Sequence, residues 1–193
     1  MTEAVRKYYT PEEYLALEEV AEYKSEYYRG EIYQMSGGTF NHNVISGNIY
    51  AELNLAFRKK NCTAFNSDMR LQLKANGLYT YPDVSVICGP VQFAEGRRDT
   101  ITNPTLVVEV LSSSTANYDR GGKFTLYQGL ESLRDYVLVE QDSWRVEYFR
   151  KLGPKHWDLT ILTDPSTILN LSTLEVEIPL ALIYDKVVFE ELP

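Results

Sequence analysis

The chain has 193 residues, 44% of them hydrophobic and 24% charged, the make-up of an ordinary globular protein whose simplest reading is a single domain, 1–193, with a substantial core. Its formal net charge of −8 excludes indiscriminate nucleic-acid binding, which declares itself as a basic excess, so a nucleic-acid site has to be a local basic groove on an acidic body. No stretch reaches the roughly eighteen apolar residues of a membrane helix and the opening MTEAVRKYYT lacks an apolar signal core, so a cytoplasmic address is expected; Cys62 and Cys88 stand alone, with neither a zinc site nor a disulfide expected.

Thr10-Pro11-Glu12-Glu13 supplies an N-cap, a proline at the first helical position and a capping-box glutamate, which predicts a helix from Pro11 to about Val20. Lys24 to Met35, KSEYYRGEIYQM, reads as a hairpin turning at Arg29-Gly30 and closed by Gly37-Gly38-Thr39. Between Asn41 and Lys60 the apolar residues Val44, Ile45, Ile49, Leu53, Ala56 and Phe57 recur at three and four, the pattern of an amphipathic helix. The cations Arg58-Lys59-Lys60 suit its C-terminus, with phosphate contact as the alternative role. His42, near its start, could move a proton but reads more simply as an exposed surface histidine.

Thr63 to Ser67 leads into Asp68 to Lys74, where Met69, Leu71 and Leu73 alternate with Arg70, Gln72 and Lys74 as in a strand with one wet face. Asn76-Gly77 turns the chain back toward Tyr81 to Cys88, YPDVSVIC, which predicts an antiparallel meander. Gly89 to Pro104 is a long connection bearing Arg97-Arg98, expected either to close over a ligand or to lie as a solvated surface loop.

Thr105 to Ser112, TLVVEVLS, is an apolar strand that carries Glu109 where a core strand carries another aliphatic. Val107, Glu109 and Leu111 share one face and Leu106, Val108 and Val110 the other, and both look buried. An ionised carboxylate there costs several kcal/mol, as an order of magnitude, unless a cation, a set of donors or a pKa shift compensates. Asp83, on the preceding strand, faces the same way as Ser85 and Ile87, and two acids on neighbouring strands can hold a divalent cation.

Beyond Glu109, Ser112-Ser113-Ser114-Thr115 caps a predicted helix from Ala116 to Gln128 that sets Asp119, Lys123 and Tyr127 on one face, within swing of the carboxylates. Strands are predicted at Asp135 to Val139 and Arg145 to Lys151, as a hairpin around Asp142-Ser143, and near His156 to Leu162 and Glu175 to Ile178. A short helix from Leu180 to Tyr184 and a closing segment from Lys186 to Glu190 complete an α+β fold.

The order of these parts, a helix, a meander with Pro82-Asp83, the Glu109 strand and then a helix with Lys123, resembles the PD-(D/E)XK nuclease superfamily. In finer detail YPDVSVICG, NPTLVVEVLSSSTANYDRGGKFTLYQ and LRDYVLVEQD resemble the Uma-type "putative restriction endonuclease" family, from the YLALEE helix to the PLALIYD close. The resemblance implies a restriction-endonuclease-like fold, a central mixed, antiparallel-rich sheet flanked by helices. It also implies a Mg²⁺-dependent endonuclease acting on DNA, with Mn²⁺ as a substitute and a homodimer as the working form. The superfamily's acidic-x-lysine tripeptide would place lysine at Leu111; its absence makes Lys123, on the next helix, the expected replacement.

Asp83 and Glu109 are then the expected metal ligands, joined by the peptide carbonyl of Val110, and Lys123 is expected to orient or deprotonate the attacking water, with Tyr127 and Asp119 holding it. A buried Asp/Glu/Lys network serving stability alone is the structural alternative. At the level of function the alternatives are a catalytically silent module that binds nucleic acid or protein, and hydrolysis of another phosphate ester.

Overall fold

The computed structural model describes residues 7–112 and 116–189. In chain order the elements are α1 (Pro11–Glu18), β1 (Ser25–Tyr28), β2 (Glu31–Gln34), α2 (Phe40–Phe57), β3 (Cys62–Asn66), β4 (Arg70–Leu73), β5 (Leu78–Thr80), β6 (Val84–Cys88), β7 (Thr100–Ile101) and β8 (Leu106–Leu111). After β8 come α3 (Ala116–Tyr118), a π-turn (Asp119–Lys123), α4 (Phe124–Tyr127), β9 (Asp135–Glu140), β10 (Val146–Gly153), β11 (His156–Leu162), β12 (Ile168–Leu171), β13 (Val176–Pro179) and α5 (Leu180–Ile183). Of the capping run expected before Ala116, Ser112 to Thr115, residues 113–115 lie outside the described residues, as does Glu190 of the closing segment.

A six-stranded sheet in the order β11-β10-β9-β8-β6-β3 divides the core. Its pairs are antiparallel except β8 with β9, so the sheet is mixed and antiparallel-rich. One face of β8, Leu106, Val108 and Val110, packs with Ile45, Ile49, Leu53 and Phe57 of α2 and with β12, β13 and α5. The other face, Val107 and Leu111, packs with Tyr127 of α4 and with Leu71, Leu73 and Leu78 of a second sheet, ordered β2-β1-β5-β4-β7. Glu109 is therefore set between two sheets, on a face otherwise filled by aliphatic and aromatic side chains.

Local chemistry explains the elements that anchor these layers. Thr10 and Glu13 exchange the two bonds of a capping box, and Tyr14, fully buried, donates its hydroxyl to Ser25 O at 2.6 Å. Arg29 and Gly30 both have positive φ, 49° and 93°, as a two-residue hairpin turn between β1 and β2 requires. In α2 the buried residues recur every four positions, and Thr39 caps the helix by accepting the His42 amide at 3.2 Å.

Several expectations are corrected, and one alternative left open is decided. The Asn76-Gly77 turn joins β4 to β5 inside the second sheet, and the chain then leaves that sheet at Tyr81-Pro82-Asp83, so β6 pairs with β3 and β8 instead of extending a meander. Proline carries no amide to continue a ladder, which makes it a natural point of departure. Cys62 and Cys88, 26 residues apart, face each other across β3 and β6 with Cα atoms 4.0 Å apart and form a disulfide. The 89–104 connection folds on itself around β7 and is tied by Arg97 to Asp99 and to Glu19 at the end of α1, away from the acidic strands. The stretch Ala116 to Gln128 is helical but not uniformly α, and β12 adds a strand where none was expected. No helix among the described residues is long and apolar enough to cross a membrane.

Leu53 of α2 is fully buried, whereas Leu55 is 55% exposed. Leu53→Ala should cost about 2–5 kcal/mol in urea unfolding, and Leu55→Ala should stay within about 0.5 kcal/mol of the parent.

Candidate active site

The alternation of β8 turns Glu109 away from the α2 layer and toward β1 and α4. Val84 pairs with Val108 across the antiparallel β6–β8 ladder, so continuing that register by one residue sets Asp83 opposite Glu109. Side chains opposed in this way start from Cβ atoms about 4.5–5.5 Å apart. The structure thus brings the two acids together at one end of the ladder.

Lys123 reaches the same place from the turn that comes after β8. Its Nζ lies 3.0 Å from Glu109 Oε1, 3.0 Å from Glu26 Oε1 and 3.7 Å from Asp119 Oδ1. Tyr127 donates its hydroxyl to Glu109 Oε1 at 2.8 Å, and Tyr136 holds the π-turn by donating to Asp119 O at 3.1 Å. A π-turn widens the helix for one turn, an irregularity frequent at functional sites, and here it contains the buried Asp119 and Lys123. Glu26 was not expected in this group. It comes from β1 of the other sheet, and Thr80 of β5 donates a hydroxyl to the same oxygen that faces Lys123. Only alternation in the short segment SEYY could have marked it, because buried Ser25 and Tyr27 leave Glu26 on the opposite side of the strand.

Asp83 is held from two sides. Its Oδ2 accepts the Val110 amide at 2.7 Å, and its Oδ1 lies 2.9 Å from His42 Nε2. His42 is consequently not a surface histidine, since its side chain is only 20% exposed. Its ring occupies the space beside Gly38, where an added Cβ would sit 2.6 Å from Cδ2 of the imidazole. Val110 meets the site through its backbone, as donor to Asp83 and as a hydrogen-bond partner of His42.

The charges are unbalanced. Glu26, Asp83, Glu109 and Asp119 line a cleft of about 730 Å³ in which Lys123 is the sole lysine or arginine among the described lining residues. Burial pushes the Glu109 carboxyl up, Lys123 pulls it down, and Asp119, Asp83 and Glu26 push it up again, for a net rise. Burial alone would lower the Lys123 ammonium, but Glu109, Tyr127, Glu26 and Asp119 raise it far beyond its usual range, so Lys123 stays charged.

A carboxylate excess of this kind suits a hard divalent cation. Among the described residues no three His, Cys, Asp or Glu side chains converge as a ligand set. Mg²⁺ asks for less, because it commonly takes one or two carboxylates and keeps several waters. Asp83 and Glu109 fit that demand, each oxygen retaining lone-pair capacity beyond the bonds described.

His42 offers a measurable consequence. Burial lowers its pKa, while the hydrogen bond and charge of Asp83, the Asp119 charge and the Val110 backbone raise it, with a net rise above 6.5. A raised folded pKa contributes stability that is complete below the unfolded value near 6.5 and is lost as pH climbs through the folded value. NMR titration should give a His42 midpoint above 6.5 in the parent and a lower one in Asp83→Asn; equal midpoints would remove the assigned pairing.

Comparisons with known proteins agree with this architecture. A family model described as "Uma2: Putative restriction endonuclease" matches residues 11–182. Two proteins of Synechocystis sp. are similar over nearly their whole lengths: sll1609 is 37% identical over 176 residues, 91% of this chain and 99% of the relative, and slr1290 is 40% identical over 182 residues, 93% of each. A crystal structure described as a putative nuclease belonging to DUF820, from Anabaena variabilis, superposes with a TM-score of 0.74 at 17% identity, covering 92% of this chain and 98% of that one. At that identity the likeness speaks for the fold, which is α+β and restriction-endonuclease-like. With a family match spanning most of its length and relatives this similar, the chain belongs to the Uma2 family of restriction-endonuclease-like proteins.

Proposed function

We propose that this protein is a Mg²⁺-dependent endonuclease that hydrolyses DNA phosphodiester bonds, with Mn²⁺ able to substitute. The observation that carries the reading is the buried Lys123 ammonium held against Glu109 on the strand face that Asp83 shares. A stabilising network alone gains nothing from so large an acidic excess around one lysine, whereas a divalent cation offsets it.

In this reading Asp83 and Glu109 hold the ion, with the Val110 carbonyl as a further ligand. Once bound, the ion offsets charge on the scissile phosphate and makes a water more acidic. Lys123, whose pKa the surrounding carboxylates raise, would orient the attacking water and stabilise developing negative charge. Glu26 and Asp119 keep the ammonium in place when Glu109 engages the cation, Tyr127 orients Glu109, and His42 orients Asp83. Two copies related by a twofold axis would cut both strands of a duplex, which is the case for a homodimer. The cytoplasmic address belongs to the same reading.

The second reading, a catalytically silent binding module, is favoured by the net charge of −8 and by the absence of a converged three-ligand set among the described residues. Nicking of supercoiled plasmid with Mg²⁺ or Mn²⁺ separates the two. Glu109→Gln, Asp83→Ala and Lys123→Ala should each slow nicking by about 10²–10³-fold in protein that thermal unfolding shows to be folded. DNA binding without nicking by the parent would favour the silent module; neither DNA binding nor metal uptake would remove both readings.

A further inference from the structure

The acidic cleft is deep, and its walls carry exposed aromatic rings. Glu109 and Lys123, at its base, are 4% and 5% exposed, whereas Tyr33 and Tyr118 on its walls are 49% and 41% exposed. The ring of Tyr118 is seated against Gly122, where an added Cβ would lie 3.0 Å from two ring carbons. Tyr33 is held at its hydroxyl end by donation to Glu31. Directly after the lining residue Thr39, Phe40 begins α2 with 67% of its surface exposed.

A protein that takes hold of duplex DNA does so mainly through lysine and arginine on the phosphates. Among the described lining residues this cleft has Lys123 alone for that purpose, and Lys123 is already engaged by carboxylates. Binding of single strands adds to its phosphate contacts a second source of affinity, aromatic rings, each stacked base contributing about ten- to a hundredfold whatever its identity. The volume, about 730 Å³, is that of a pocket for a compact ligand, enough for one or two nucleotides of a strand.

We infer that the cleft takes an unpaired stretch of nucleic acid, a single strand or a strand end freed from its partner, with bases stacked on Tyr33 and Tyr118 and the phosphate led down to Lys123. The assignment rests on the nuclease reading for the cleavage step, but the binding step is tested separately.

The test is fluorescence anisotropy with a labelled 20-nucleotide single strand and the same strand annealed to its complement, with Mg²⁺ and with EDTA, then cleavage assays on both and on a dinucleotide. The single strand should bind at least tenfold more tightly than the duplex. Tyr33→Ala and Tyr118→Ala should each weaken single-strand binding about tenfold while unfolding at the parent's temperature, and Tyr33→Phe and Tyr118→Phe should restore it, a rescue that a role resting on the hydroxyl would not produce. Equal or tighter binding of duplex, parent-like binding by the alanine variants, or no binding of any strand overturns the assignment. A dinucleotide cut as fast as the oligonucleotide also overturns it and gives the site to small phosphodiesters. Cleavage of duplex without preference for unpaired strand sinks this inference and leaves the nuclease reading standing; tight single-strand binding with no cleavage does the reverse.

Discussion

A protonated lysine buried among carboxylates is the interaction around which this molecule is arranged. Removing an ammonium and its partners from water costs several kcal/mol per ion, as an order of magnitude, and only close opposite charges and hydrogen bonds recover it. Lys123 recovers it from Glu109 on one sheet and Glu26 on the other, with Asp119 from its own turn. The ammonium therefore ties the two sheets together across a polar part of their shared core. Tyr127, donating to the same Glu109 oxygen, closes the apolar side of that place.

The backbone makes this arrangement possible through two departures from regularity. At Pro82 the chain quits one sheet for the other, which leaves Asp83 at the head of β6 opposite Glu109 and near the amide of Val110. Between Tyr118 and Phe124 the helix widens into a π-turn carrying Asp119 and Lys123 to the cleft, while the α-helical turn after it buries Tyr127. Both irregularities fall on residues that face the acidic cluster, as expected where local regularity yields to the geometry of a site. Gly38 makes a similar concession to His42 by leaving the space its imidazole needs.

Electrostatics gives the cluster a direction. The protein is acidic overall, and the cleft more so, which opposes the approach of an anion. In the proposed reading the aromatic walls supply attraction that does not depend on charge. Cation, ammonium and rings thus divide the work of charge neutralisation, orientation and grip among different residues, and in this reading none of those tasks falls on a large basic surface.

Much of this was legible in the sequence because it depends on residues near one another in the chain. The capping box at Thr10, the four-residue spacing of Ile45, Ile49, Leu53 and Phe57, and the alternation of β8 around Glu109 are local patterns that alternation, helical period and capping decode directly. Asp119, Lys123 and Tyr127 were visible for the same reason, since helical spacing keeps them on one side even through the wider turn. What the chain could not declare is what two sheets put together. Glu26 reads as one more polar residue in a hairpin, His42 as a surface histidine, and Cys62 and Cys88 as unrelated thiols. Each acquires its partner only through a strand register or a packing of layers that joins positions tens of residues apart, and that pairing is a property of the tertiary fold, where side chains distant in sequence share one desolvated space.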